Sequence, residues 1–205
     1  MLKAIELTCE RGGRTLFHGL SFELRGGELL RLAGENGSGK TSLLRILCGL
    51  LSPNAGEVRW KDAGIQSLRE DYAQALVYLG HAPAVKDELS AAENLEIACR
   101  LAGKAPAPQR ISAALDRMGL ARKDVPVKKL SQGQRRRAAL ARLVLSEAVP
   151  LWLLDEPFSA LDAAAAKVLE DLIAAHVAGG GAVVYTTHQE VGIKASRTIE
   201  LAAVA

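Results

Sequence analysis

At 205 residues, 49% apolar and 24% charged, the chain has the composition of an ordinary soluble globular protein and is long enough to bury one full core. A net charge of +3 gives no bulk electrostatic case for nucleic acid or a membrane surface. No apolar run approaches the roughly 18 to 20 residues that span a bilayer, and Glu6 interrupts the start before a signal-peptide core can form. Cys9, Cys48 and Cys99 are far apart and form no C-x-x-C pair, so they read as buried free thiols of a reducing compartment. A cytoplasmic protein is expected, whose membrane role, if any, needs a partner.

The chain opens with a strand over residues 2 to 8, a turn at Arg11-Gly12-Gly13-Arg14, and a strand from Leu16 to Leu24. After a second turn, Arg25-Gly26-Gly27, the apolar run Leu29–Ala33 reads as a strand. It runs into Gly34-Glu35-Asn36-Gly37-Ser38-Gly39-Lys40-Thr41. A helix follows, with Leu43, Ile46, Leu47, Leu50 and Leu51 on one stripe. Strand, Gly-rich loop with Lys-Thr, and helix form the context of a nucleoside triphosphate site. Glycines let successive N–H groups turn inward around phosphate oxygens, and the helix N-terminus adds partial positive charge there. Lys40 brings a full charge to the β- and γ-phosphates, and the Thr41 hydroxyl suits Mg²⁺. Gly34, Glu35, Asn36, Gly37, Ser38, Gly39 and Ser42 complete the candidate contacts.

Ser52–Gly56 closes that helix, and Glu57–Trp60 and Ala75–Leu79 read as strands, the latter stopping at Gly80-His81-Ala82-Pro83. From Ser90 to Ser146 no convincing strand is legible. Ser90 with Glu93 forms a capping box for a helix to about Leu101, a second helix covers Gln109 to Met118, and a third runs from about Gln132 to Glu147. Residues of about 82–146 are read as a helical lobe inserted into an α/β core, 1–81 and 147–205, within a single domain of 1–205. Ser131 and Gln134 make a second capping box, yet Ser131 and Gly133 also present a hydroxyl and free N–H groups to an anion. Arg135, Arg136 and Arg137 read as a solvated face and are given no chemistry.

Val149–Leu154 suits a strand buried on both faces. Asp155-Glu156 follows directly: one carboxylate placed to hold Mg²⁺, its neighbour to orient or deprotonate water. A helix over Asp162–Ala178 stops at Gly179-Gly180-Gly181, and strands at Ala182–Thr186 and Thr198–Leu201 finish the core. Alternating strands and helices imply a mostly parallel sheet with ligands at the carboxyl ends of its strands. The phosphate loop, Asp155 and His188 all follow strand ends, so one site can gather them. His18 and His176 are left as structural.

Gly34–Thr41, Leu130–Gln134, Asp155-Glu156, Ser159-Ala160-Leu161-Asp162 and Thr187-His188 occur in the order and spacing of ABC-type ATPases, and this resemblance covers essentially the whole chain. It implies a P-loop α/β fold with an antiparallel β subdomain and an inserted helical lobe. It also implies a head-to-tail homodimer with ATP and Mg²⁺ between subunits. Lys40 and Thr41 of one copy would hold ATP-Mg²⁺, while Ser131 and Gly133 of the other, with Gln134, cover the γ-phosphate. Asp155 matches the Mg²⁺ ligand, Glu156 the catalytic base and His188 the switch histidine that contacts the γ-phosphate.

Three positions depart from the family pattern. Gln132 replaces a glycine. No aromatic residue lies near Arg11 to stack on adenine, leaving the Arg11 guanidinium plane or Phe17. His81 stands where a glutamine usually ends the strand, and a neutral imidazole there can offer nitrogen to water or metal. Tyr78-Leu79-Gly80-His81 and Leu151–Phe158 narrow the resemblance to the CcmA family, the ATP-binding subunits of cytochrome c maturation, or heme exporter ATPases. That implies permease partners of the cytochrome c maturation complex, a peripheral position on the cytoplasmic face of the bacterial inner membrane, and heme export or release of a heme-loaded chaperone. No C-x-x-C-H or obvious heme ligand pair occurs, so no direct heme binding is expected, and no nucleic acid. Alternatives are the ATPase of another ABC transporter, a soluble ABC-type ATPase acting on ribosomes or DNA, and a nucleotide-binding regulator without turnover. The absence of sustained heptads between Ser90 and Ser146 disfavours the second, and Glu156 with His188 disfavours the third.

Overall fold

Two sheets divide the chain in a computed structural model that describes residues 1–202; the last positions of the expected core, 203–205, lie outside the described residues. The first sheet is antiparallel, built from β1 (Leu2–Arg11), β2 (Arg14–Leu24), β4 (Ala55–Trp60) and β5 (Ala63–Gly64) in the order β2-β1-β4-β5. The second is parallel, from β3 (Leu29–Ala33), β6 (Leu76–Leu79), β7 (Leu151–Leu154), β8 (Ala182–Thr186) and β9 (Arg197–Glu200), in the order β6-β7-β8-β3-β9.

The alternation of strand side chains explains how the layers hold together. Every residue of β7 and β8 is buried. Leu151 and Leu153 face one core, shared with β1, β2 and the helix α1 (Lys40–Leu47). Trp152 and Leu154 face another, shared with α4 (Ala91–Leu101), α5 (Pro108–Arg117), α6 (Gln132–Val144) and α7 (Ala163–Ala178). A strand with an apolar partner on each side must read as a continuous apolar run.

Two expectations give way to local geometry. The first helix stops at Leu47 rather than continuing through Leu50 and Leu51: Gly49 takes φ +77°, the Leu50 and Leu51 amides both fold back onto the Arg45 carbonyl, and Leu50 is 69% exposed. The third lobe helix ends at Val144, three residues before Glu147, because the Leu145 and Ser146 amides close tighter i−3 bonds onto Arg142 and Leu143. Residues between β5 and β6, given no element from the sequence, form α2 (Ile65–Leu68) and α3 (Glu70–Gln74); buried Tyr72 ties them to α1 by donating its hydroxyl to the Leu47 carbonyl. Ser90 and Asp162 cap α4 and α7 through the amides of Glu93 and Ala165. No helix among the described residues is long and apolar enough to cross a membrane.

Candidate functional site

The parallel strands β3, β7 and β8 all deliver their carboxyl ends to one cleft. β3 ends at Ala33 and runs into Gly34, whose φ of +134° suits glycine; a Cβ there would lie 2.5 Å from the Leu201 carbonyl and 2.7 Å from Ser38 Oγ. Gly39 is the N-cap of α1 at φ +100°, with no side-chain cap on the first turn. The helix therefore begins with backbone N–H groups free of side-chain acceptors, the arrangement that receives an anion. Lys40 is buried, and its ammonium donates to the carbonyls of Gly34 (2.7 Å) and Glu35 (2.8 Å). Ser38 Oγ is buried without a hydrogen-bond partner among the described residues.

Facing this loop, Asp155 follows β7 and is only 2% exposed. Its two oxygens accept from Thr41 Oγ1 (2.8 Å) and Thr186 Oγ1 (3.0 Å). Glu156 takes φ +49°, unusual for a residue with a Cβ. Its amide donates to Thr186 Oγ1 at 2.8 Å. Glu156 Oε2 receives the His188 amide at 3.4 Å, while Oε1 is buried with no hydrogen bond among the described residues and lies 3.6 Å from His188 Nε2. The cleft, about 310 Å³, is lined by Leu16, Asn36, Gly37, Gly39, Lys40, Thr41, Ser42, His81, Asp155, Glu156 and His188.

The donor set fits a hard divalent cation. Adjacent ligands of an octahedral Mg²⁺ lie about 2.9 Å apart, and Thr41 Oγ1 and Asp155 Oδ2 are separated by 2.8 Å. His81 lines the same cleft but is exposed, with its backbone carbonyl accepting from an arginine on α6. Among the described residues no group of three or more His, Cys, Asp and Glu side chains is arranged around a metal position; Thr41 and Asp155 are a pair of oxygen donors brought together in the cleft.

A sequence model of the ABC transporter family matches residues 17–159. The cytochrome c biogenesis ATP-binding export protein CcmA of Dechloromonas aromatica is 54% identical over 202 residues, 98% of each chain. CcmA of Nitrosospira multiformis is 52% identical over 94% of this chain and 93% of its own. The dimeric ATP-binding cassette MJ0796, in a post-hydrolysis state with ADP and Pi, superposes with a TM-score of 0.83 at 25% identity, covering 98% of this chain and 94% of its own. The chain belongs to the ABC transporter family, in its CcmA branch. It is an ATP-binding, ATP-hydrolysing domain of that family.

Within this ABC ATPase, the remaining candidate residues are not gathered into the cleft. Ser131, Gly133 and Gln134 open α6 and do not line it. Ser131 Oγ accepts from the Gln134 amide and Gln134 Oε1 from the Ser131 amide, so the box is closed on itself, with Ser131 exposed and Gln134 half-buried. Gly133 lies so close to the Ser159–Asp162 loop that a Cβ would sit 2.7 Å from the Ala160 carbonyl. Arg11, proposed as an adenine platform, is on the exposed β1–β2 turn opposite Arg14; Leu16 lines the cleft instead, and buried Phe17 packs against the Gly39 backbone.

The arginine triplet needs correction. Arg135 is partly exposed and pairs with Asp87; Arg137 pairs with Asp162. Arg136 is 3% exposed and donates to backbone carbonyls behind the carboxylates. Its position had a signal: Arg136, Leu140 and Leu143 fall on one helical stripe, and both leucines are fully buried. His176 also belongs to the interior, stacked on Trp152 with centroids 3.8 Å apart, and burial pushes its pKa below the usual imidazole value.

Proposed function

We propose that this chain is the ATP-hydrolysing subunit of a membrane complex for cytochrome c maturation, powering heme export or the release of a heme-loaded chaperone. The observation that carries the chemistry is the joining of Thr41 to Asp155 at 2.8 Å beside Glu156 and His188, at an uncapped helix N-terminus. The relatives named for cytochrome c biogenesis supply the biological setting.

Lys40, Ser38, Thr41, Ser42 and the amides of Gly34–Gly39 bind and orient the triphosphate. Mg²⁺, held by Thr41 and Asp155, would neutralise charge on the β- and γ-phosphate oxygens. Glu156 Oε1, which no hydrogen bond occupies, accepts a proton from the attacking water. That water attacks the γ-phosphorus as the bond to the β–γ bridging oxygen breaks, leaving ADP and phosphate. His188 sits beside Glu156 and positions the water and the γ-phosphate. His81, exposed at the cleft wall, offers its imidazole to water at the edge of the site, a peripheral role. Leu16, at the cleft wall, provides the base contact in place of Arg11.

A second copy arranged head to tail brings its Ser131, Gly133 and Gln134 over the γ-phosphate. The exposed start of α6 supports this reading, and the dimeric form of the MJ0796 cassette is consistent with it. The subunit attaches peripherally to permease partners on the cytoplasmic face. Affinity purification of the tagged chain from detergent-solubilised membranes tests this. Cytochrome c maturation proteins carrying a heme Soret band are expected. An unrelated permease without heme removes the heme role, and no membrane partner at all moves the chain to the soluble alternative.

A further inference from the structure

One guanidinium links three distant parts of the chain. Arg136 Nη1 donates to the carbonyls of Gly80 (3.0 Å) and His81 (3.1 Å), at the end of β6. Its Nη2 donates to the carbonyls of Asp155 (3.0 Å) and Glu156 (2.7 Å), and Nε to that of Pro157 (3.4 Å). We propose that Arg136 is a positioning residue for ATP hydrolysis, holding the Asp155–Glu156 turn and the His81 strand end in fixed register with α6. This rests on the reading of Glu156 as the catalytic base.

The acceptors explain the assignment. All five are main-chain oxygens, so Arg136 fixes where the backbone runs and leaves the carboxylates free for other partners. Glu156 needs that support. Its positive φ is a costly conformation for a residue with a Cβ, and such strain persists only where the surroundings over-determine it. Thr186 Oγ1 holds its amide and Arg136 its carbonyl, so both flanking peptide planes are fixed and with them the direction in which the side chain leaves the backbone. Burial pushes the Arg136 pKa down, opposed by the nearby Asp155 and Glu156 charges, and its ordinary value is high enough to keep it charged.

The other end of the link matters equally. Arg136 lies little more than one helical turn beyond Ser131, the residue proposed to reach the nucleotide of a second copy. A displacement of α6 against the core therefore strains the same bonds that set Glu156. Lysine cannot substitute fully: a single ammonium has three donors on a flexible stem, whereas the planar fork offers five in fixed directions.

The test is steady-state turnover and fluorescent ATP-analogue affinity of the full-length chain, with Arg136→Lys and Arg136→Gln, alone and combined with Glu156→Gln. Arg136→Lys is expected to lower kcat by about tenfold and Arg136→Gln by about fiftyfold, while KM and analogue affinity stay within about twofold. In the Glu156→Gln background each change should lower the residual rate by much less than it does alone, because the larger part of its effect passes through Glu156. An unchanged kcat, a loss carried mainly by KM, or a full multiplicative loss in the Glu156→Gln background overturns the assignment. Arg136→Lys retains the charge and much of the length, so it reports even where Arg136→Gln fails to fold. Near wild-type turnover of Glu156→Gln alone would instead remove the base reading, which separates the two failures.

Discussion

The N-termini of α1 and α6 are finished in opposite ways. At α1 the N-cap is a glycine, no side chain caps the first turn, and a buried lysine and an aspartate–threonine pair close around it. At α6 the N-cap is Ser131, its capping box is complete, and Ser131 is exposed while Gln134 is half-buried. The first is the floor of a cleft. The second is a surface feature, which the proposed head-to-tail arrangement would bring over the cleft of another copy. Within one chain the two termini do not meet.

Removing the charge at the first terminus has the largest expected effect. Lys40→Ala should abolish ATP binding or turnover, read by nucleotide binding and phosphate release; unchanged affinity and rate would break the assignment of α1. Glu156→Gln comes next, keeping ATP binding while turnover falls at least about a hundredfold and an ATP-bound dimer accumulates in size-exclusion chromatography. The second terminus is probed by complementation. Chains with Lys40→Ala and chains with Ser131→Arg are each expected to lose ATP-dependent dimerisation, whereas their mixture should recover a heterodimer with one intact nucleotide site. No recovery would mean that α6 does not complete its neighbour's cleft.

Smaller effects separate structure from chemistry. His176 has a folded pKa pushed below that of the unfolded chain, so its neutral form contributes stability that is present above about pH 6.5 and lost as pH falls toward the folded value. Thermal melting should fall on acidification below about pH 6.5, by at most about 1.4 kcal/mol per pH unit for this one proton. His176→Phe keeps a ring against Trp152 and should flatten that dependence; an identical pH profile would exclude His176 as its source. His81→Gln should change turnover least, by a few-fold at most, and a large loss would promote His81 to a direct role in the cleft.

Much of the site was legible because its signals are local. Gly34 to Thr41 need only their own loop geometry, and Ser131 with Gln134 caps a helix from within four residues. The strands β7 and β8 announced their two-sided burial through unbroken apolar runs. Arg136 was misread because arginines ordinarily keep their head groups in water. What buries it is a set of carbonyls up to 56 positions away, and no nearby residue reports them. The same holds for Thr186, which looks like the end of a strand yet orients both Asp155 and Glu156 across a parallel ladder.

The sequence by itself determined the phosphate loop, the order of its chemical motifs, the alternation of strands and helices and the caps of the main helices, since each follows from short-range backbone geometry and hydrophobic period. Only the tertiary structure decided that Thr41 meets Asp155, that Leu16 rather than Arg11 lines the cleft, and that one of three adjacent arginines is buried behind the carboxylates. Those outcomes depend on which segments the parallel sheet and the packing of α6 place side by side. Long-range packing fixes them, and no local preference of the chain encodes it.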